Sequence, residues 1–305
     1  MIKTYKLLQF IILTSFLFPG IAFSFDAFIV LSSDIIPYKS CVGGLEEALE
    51  GRSLKVLDIR GDLEEGYRVL KKIKKESPGL IIAVGPQAAY VLSKETGDIP
   101  RVFCMVRNPQ KIIGANFFPG VSLNMPSPFF QLTKIKEAFY TRQKVGIFFN
   151  PASNQSIVDA FDREAGKLSI EIIKFPILSK KDISAVINSD QFSIDVLLII
   201  PDDQLRSEKI ISYIIKESLK RKIPVVGYNS WFAKNGALLS FILDYKNIGV
   251  QTGQLSKRIL GGEKVEKDYI VPPEKISIRV DLKTAKKLGI KMSPEIINQA
   301  QGVID

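Results

Sequence analysis

A rhythm of short apolar runs alternating with amphipathic stretches occurs twice in this chain, and it constrains the fold more than any other feature. Ala27–Leu31 is an apolar strand and Ile35–Leu49 reads as a helix. Leu54–Ile59 is a second strand. Asp62 and Glu65 then make a capping-box-like start, and Leu63, Tyr67, Leu70 and Ile73 recur at helical spacing. Strand Leu80–Val84, short helix Pro86–Lys94 and strand Val102–Val106 complete the first set. The rhythm restarts at Val145–Phe149, with a helix around Ile157–Leu168 and strand Ile170–Phe175. Helix Asp182–Asn188, strand Val196–Ile200 and helix Ser207–Arg221 follow, then strand Val225–Tyr228, helix Ser230–Lys234 and strand Ala237–Leu243. Strands that are apolar at nearly every position suit a parallel sheet with helices over both faces. Two such sets of about 100 residues predict two doubly wound α/β lobes.

Asn116–Pro128, rich in Pro, Gly, Asn and Ser, is the expected crossover between them. The tail is less regular. A helix over Asn247–Leu260 stops at Gly261-Gly262, Lys275–Val280 is strand-like, and Ser293-Pro294-Glu295 is a helix start with Ser as cap.

The first 24 residues stand outside this pattern. Lys3 and Lys6 precede the short apolar run Leu7–Phe18, Pro19-Gly20 breaks it, and Ala22-Phe23-Ser24 is a small-x-small cleavage signal. We expect 1–24 to be a cleaved signal peptide, and no other stretch is long enough to cross a bilayer. No cysteine lies at the cleavage point, which disfavours a lipid anchor. Removing the two leader lysines lowers the formal charge from +10 to +8. The lysines are scattered beside acids, as in Lys71-Lys72-Lys74-Lys75 near Glu64, Glu65 and Glu76. That is a solvated face and not a nucleic-acid patch. Cys41 and Cys104 can bridge in an oxidising compartment, but two cysteines alone are not a framework.

The chain contains no histidine. Ser-His-Asp and Cys-His catalysis and His-ligated metals are therefore excluded, and the commonest general base is missing. The expectation tilts toward binding without chemistry, with no cofactor and no metal. Val145–Ser156, VGIFFNPASNQS, is a small-molecule site in outline: an apolar strand ends at Asn150-Pro151 and runs into amides and hydroxyls that open a helix.

Several motifs, in order, carry a resemblance. They are GLIIAVGPQAA (Gly79–Ala89), RVFCMVRNP (Arg101–Pro109), VGIFFNPASNQS, IIPDD (Ile199–Asp203), GALLSFILDYKNIGVQTG (Gly236–Gly253), ILGGEK (Ile259–Lys264) and DLKTAKKLGIKMSPEI (Asp281–Ile296). Together they resemble ABC-transporter substrate-binding proteins of the tryptophan/tyrosine type, which have the type I periplasmic-binding-protein fold. There are two departures. Arg107-Asn108 stands where the family often has a small or hydroxyl residue followed by Asp, and FFPGVSLNMP (Phe117–Pro126) replaces the usual crossover. They bear on the ligand more than on the fold. The resemblance implies three interlobe crossovers, with lobe one over 25–122 plus 246–267 and lobe two over 123–245 plus 268–305.

Ligands of open α/β sheets sit beyond the carboxyl ends of the strands. In lobe one those tips are Ser32, Ser33 and Asp34, then Gly85, Pro86 and Gln87, then Arg107. In lobe two they are Asn150, Ser153, Asn154 and Ser156, then Asp202 and Asp203, then Tyr228, Asn229 and Trp231. Helix starts after Gly85 and Asn150 suit a carboxylate, Asp202 or Asp34 an ammonium, and Tyr228 or Trp231 an apolar side chain. The same Ser, Asn and Asp residues also suit plain helix capping, Asp203 most of all. The implied function is an exported, monomeric receptor in the periplasm. It holds a small, amino-acid-like molecule in the interlobe cleft, closes by a hinge and docks on an ABC permease with its ATPase. Two alternatives remain: a ligand sensor signalling to a membrane kinase or cyclase, and an exported enzyme built on Asp34, Asp202 and Asp203.

Overall fold

A computed structural model describes residues 25–95 and 97–304; the expected leader, 1–24, lies outside the described residues. Strands β1 (Ala27–Leu31), β2 (Leu54–Asp58), β3 (Leu80–Val84), β4 (Arg101–Val106) and β5 (Gly120–Ser122) join a late strand, β11 (Ile270–Val271), in one sheet. Its order is β11-β5-β4-β3-β1-β2, and its pairings are all parallel. The second sheet holds β6 (Lys144–Phe149), β7 (Glu171–Pro176), β8 (Val196–Leu198), β9 (Val225–Gly227), β10 (Leu239–Leu243), β12 (Ile276–Asp281) and β13 (Gly302–Ile304). Its order is β13-β12-β10-β9-β8-β6-β7.

The apolar strands are apolar because both faces are covered. Ala27, Ile29 and Leu31 of β1 enter one core while Phe28 and Val30 enter another. Val145, Ile147 and Phe149 of β6 likewise pack opposite Phe148. The helices over lobe one are α1 (Ile36–Ala48), α2 (Leu63–Glu76), α3 (Pro86–Ser93) and the single turn α4 (Pro109–Ile113). Asp62 caps α2 by accepting from the Glu64 N–H at 2.8 Å, and Val69, Leu70 and Ile73 form its buried face. Over lobe two lie α5 (Pro128–Ala138), α6 (Pro151–Gly166), α7 (Lys180–Ile187), α8 (Glu208–Lys220) and α9 (Ser230–Lys234).

The chain crosses between the lobes three times. The first crossing follows β5, which lies inside the segment expected to be an open crossover. It is a strand because β4 and β11 pair it from both sides. The second is at Asp244, after which α10 (Tyr245–Leu260) returns to lobe one and packs on α1. Glycines permit that approach. A Cβ on Gly249 would lie 1.9 Å from the Cys41 carbonyl oxygen, and one on Gly44 would lie 2.0 Å from that of Lys246. The third crossing was expected at 267/268. However, Ile270–Val271 pairs with β5, so the chain leaves the lobe-one sheet only at Pro272. The second and third crossings touch, with the Asp244 N–H donating to the Lys275 carbonyl at 3.3 Å. The Gln251 side chain fastens the third, donating to the Pro272 carbonyl and accepting from the Glu274 N–H. Lobe two also departs from an all-parallel sheet, since β12 runs antiparallel to β10.

Candidate functional site

The carboxyl ends of both sheets face a cleft that encloses a cavity of about 430 Å³. From lobe one it is lined by Tyr38 of α1, Pro86 at the start of α3, Met105 and Arg107 at the end of β4, and Lys111 of α4. From lobe two come Ser153 and Asn154 of α6, Asp202, Asp203 and Arg206 after β8, and Tyr228 after β9. The lobes touch across it where Lys111 Nζ donates to the Ser153 carbonyl at 3.3 Å.

Lobe one's edge is shaped by two backbone choices. Gly85 turns from β3 into α3 at φ +94°, and a Cβ there would fall 2.7 Å from both Ser32 Oγ and the Tyr38 ring. Only glycine meets both demands. Met105 adopts φ +59° at a break in the β4–β5 register. A left-handed bulky residue in a strand costs on the order of 1–3 kcal/mol and clusters at ligand sites. Here it brings an extra side chain into the cleft ahead of Arg107.

Arg107 reaches water but is surrounded by protein from both lobes. Burial lowers its pKa, and Tyr228, Tyr245 and Asp203 oppose that shift while Arg206 adds to it. Burial also raises the phenol pKa values of Tyr228 and Tyr245, with Arg107 working against it. Both rings are therefore neutral donors beside a guanidinium. Tyr38 is raised as well, first by burial and then by the neighbouring thiols Cys104 and Cys41. Those two cysteines are buried and free, with sulfurs 3.4 Å apart.

Lobe two's polar groups are differently employed. Asp202 is buried, and its carboxylate accepts from the Asn150 N–H at 2.7 Å, Asn154 Nδ2 at 2.7 Å and the Gln204 N–H at 2.8 Å. It ties the tips of β6 and β8 together and caps the 3-10 turn Asp203–Leu205. Asp203 pairs with Arg206. Asn150 Oδ1 caps α6 through the Ala152 N–H, and Asn229 Oδ1 caps α9 through the N–H groups of Trp231 and Phe232.

Of the tip residues expected from sequence, Pro86, Arg107, Ser153, Asn154, Asp202, Asp203 and Tyr228 line this cleft. Gln87 lines a shallower depression with Tyr90 and Leu63. Ser156, one turn beyond Ser153 on α6, lines a side chamber instead. Ser32, Ser33, Asp34, Gly85, Asn150 and Asn229 line none of these cavities. Ser32 is buried and its Oγ accepts from the Ala88 N–H at 3.0 Å, pinning β1 to α3. Asp34 is exposed and pairs with Lys39 at 2.9 Å. Trp231 packs edge-on against Phe232. Tyr38, Lys111 and Arg206 belong to the cleft but sit one turn into the elements that follow the tips. Extending the strand-tip rule by one helical turn would have found them.

Residues 38–304 match the family described as ABC transporter substrate binding protein. The chain belongs to that family. As a substrate-binding protein it shares its fold with a ligand-free, open substrate-binding protein with adhesive properties from Clostridium difficile, at 21% identity and TM-score 0.77 over 92% of this chain and 99% of that one. The ABC domain from Streptococcus pneumonia in complex with L-Trp aligns over 91% of this chain and 100% of its own, at 20% identity and TM-score 0.64. An arabinose-binding protein from Geobacillus stearothermophilus aligns at 13% identity and TM-score 0.63, over 83% and 96%. No match was found among curated proteins. The fold is that of the type I periplasmic binding proteins. At these identities the likeness establishes the fold alone. Among the described residues no group of side chains is arranged to hold a metal, and no helix is long and apolar enough to cross a membrane.

Proposed function

We propose that this substrate-binding protein is the extracytoplasmic receptor of an ABC importer, without enzymatic activity. It takes a small carboxylate-bearing organic molecule between its lobes and closes over it by rotation about the three crossing segments. The observation that carries the reading is the cleft itself: strand ends of two sheets face one cavity, and Arg107 stands in it with no salt-bridge partner among the described residues. An amino-acid-like solute, as the sequence resemblance implies, presents a carboxylate to that guanidinium. A cleaved leader over 1–24, a monomeric receptor, and docking on a permease and its ATPase complete the proposal. Lobe one would comprise 25–122 and 246–271, and lobe two the rest of the mature chain.

A thermal-shift screen over amino acids, organic acids, nucleosides and sugars tests it. A solute at a hundred times its dissociation constant adds roughly 2.7 kcal/mol of stability, and small-angle scattering then shows the radius of gyration falling as the lobes close. A panel that leaves both melting temperature and scattering unchanged would defeat the receptor reading.

A further inference from the structure

Resting on that receptor reading, we propose that the solute is an apolar-tailed organic anion with no ammonium of its own, and that the cleft selects it over the corresponding zwitterionic amino acid. The charges lining the cavity are Arg107, Lys111 and Arg206 against Asp202 and Asp203. Asp203 is matched by Arg206. Asp202 accepts from two backbone N–H groups and the Asn154 amide, so three of its roughly four acceptor positions are filled from its own lobe. That leaves Arg107 and Lys111 without a salt-bridge partner among the described residues, Lys111 donating only to a backbone carbonyl. The lining carries three cations against two carboxylates, and Asp202, which has no cation partner, is satisfied by neutral N–H donors. An incoming carboxylate gains a charge-assisted fork from Arg107 and neutralises the site. An incoming ammonium is desolvated beside a guanidinium, with Asp203 held by Arg206 and Asp202 mostly filled by N–H donors, which is the unfavourable half of burying charge. Asp34, the other acid at a strand tip, is outside the cleft and holds Lys39.

The shape of the site supplies the tail. A second cavity of about 260 Å³ lies under the first crossing segment, walled by Met125, Ile157, Ala160, Phe161 and Ile200. It shares Arg107, Asn108 and Pro201 with the main cleft, so Arg107 stands where a polar chamber meets an apolar one. A dry apolar cavity of roughly 150 Å³ already accepts benzene, and this one has room for one aromatic ring or a branched alkyl group. The head of such a ligand sits on Arg107 and Lys111, and its body enters the side chamber.

The test compares matched pairs on the mature chain by isothermal titration: 3-phenylpropionate against L-phenylalanine, and 4-methylpentanoate against L-leucine. The fluorescence of Trp231, the chain's single tryptophan, gives a second readout. The deaminated member of each pair is expected to bind at least tenfold more tightly. Arg107→Gln is expected to weaken 3-phenylpropionate at least tenfold, and Arg107→Lys, which keeps charge but not the fork, to weaken it less. Ala160→Phe, which fills the side chamber, is expected to abolish the advantage of 3-phenylpropionate over propionate. Amino acids binding as tightly as their deaminated partners overturn the proposal while leaving the receptor reading intact, as does binding of sugars or nucleosides alone. Silence from every solute, with no closure by scattering, overturns both.

Discussion

The two jaws of the cleft are built from the same kind of strand-to-helix turn, yet their polar residues have opposite fates. On lobe one, Arg107 and Lys111 project from β4 and α4 with no salt-bridge partner among the described residues. On lobe two, Asn150, Asn154, Asp202 and Asn229 bond to their own lobe, and Asp203 is matched by Arg206. The richer segment in sequence, VGIFFNPASNQS, is thus mainly a brace, while the plainer RVFCMVRNP holds the free charge. A polar residue at a strand tip is a ligand candidate only after the backbone N–H groups beside it have been satisfied.

Substitutions can break or sharpen that contrast. The largest loss of stability is expected from Asp202→Ala, which leaves the Asn150 N–H and the Asn154 amide without their acceptor; unfolding in urea should show about 3 kcal/mol lost. A neutral result would mean that lobe two's acid is free for ligand after all. Next comes Ser32→Ala on lobe one, which uncaps the Ala88 N–H at the buried start of α3 and should cost about 1 kcal/mol in the same assay. Arg107→Gln is expected to change unfolding free energy by no more than about 0.5 kcal/mol, since no partner is stranded. A loss comparable to that of Asp202→Ala would erase the distinction between the jaws.

The smallest expected effect is of pH on affinity. The chain has no histidine, and burial raises the phenols of Tyr38, Tyr228 and Tyr245. Titrations of a carboxylate ligand should therefore be flat from about pH 6 to pH 9. The sign for stability follows from the same groups. The native phenols hold their protons more tightly than the unfolded ones, so the native state binds more protons above about pH 10 and stability falls there as pH rises.

Much of the architecture was legible because burial on both faces writes itself into sequence. β1 and β3 begin and end at the residues their apolar runs predict. What was missed depends on distant partners or on special backbone. β5 and β11 have three and two residues and exist through each other and β4. α6 begins at Pro151, as a helix start after Asn150 implies, because Asn150 caps it and proline suits its first turn; the apolar periodicity alone marks it only from about Ile157. The left-handed Met105 leaves no compositional mark at all. In the site, the tip rule reached Pro86, Ser153, Asn154, Asp202 and Tyr228, and it named Arg107 among the tips. Capping is the open alternative for the Ser and Asn tips; Asn150 and Asn229 take it locally, whereas the Ala88 N–H that Ser32 serves is brought to it only by tertiary packing.

The order in which the chain visits its lobes has a consequence for how it is assembled. α1 and α10 meet at Gly44 and Gly249 across about two hundred residues of intervening chain, and β11 reaches back to β5 across about 150. A chain extended from its N-terminus to Leu243 has made five strands of each sheet but has no α10 to cover the Cys41–Leu45 face of α1, no β11 for the edge of β5 and no β12 for the edge of β10. The final sixty residues close both sheets at once. Two lobes are therefore completed by one shared strap, and one cooperative transition is the expected signature of its release.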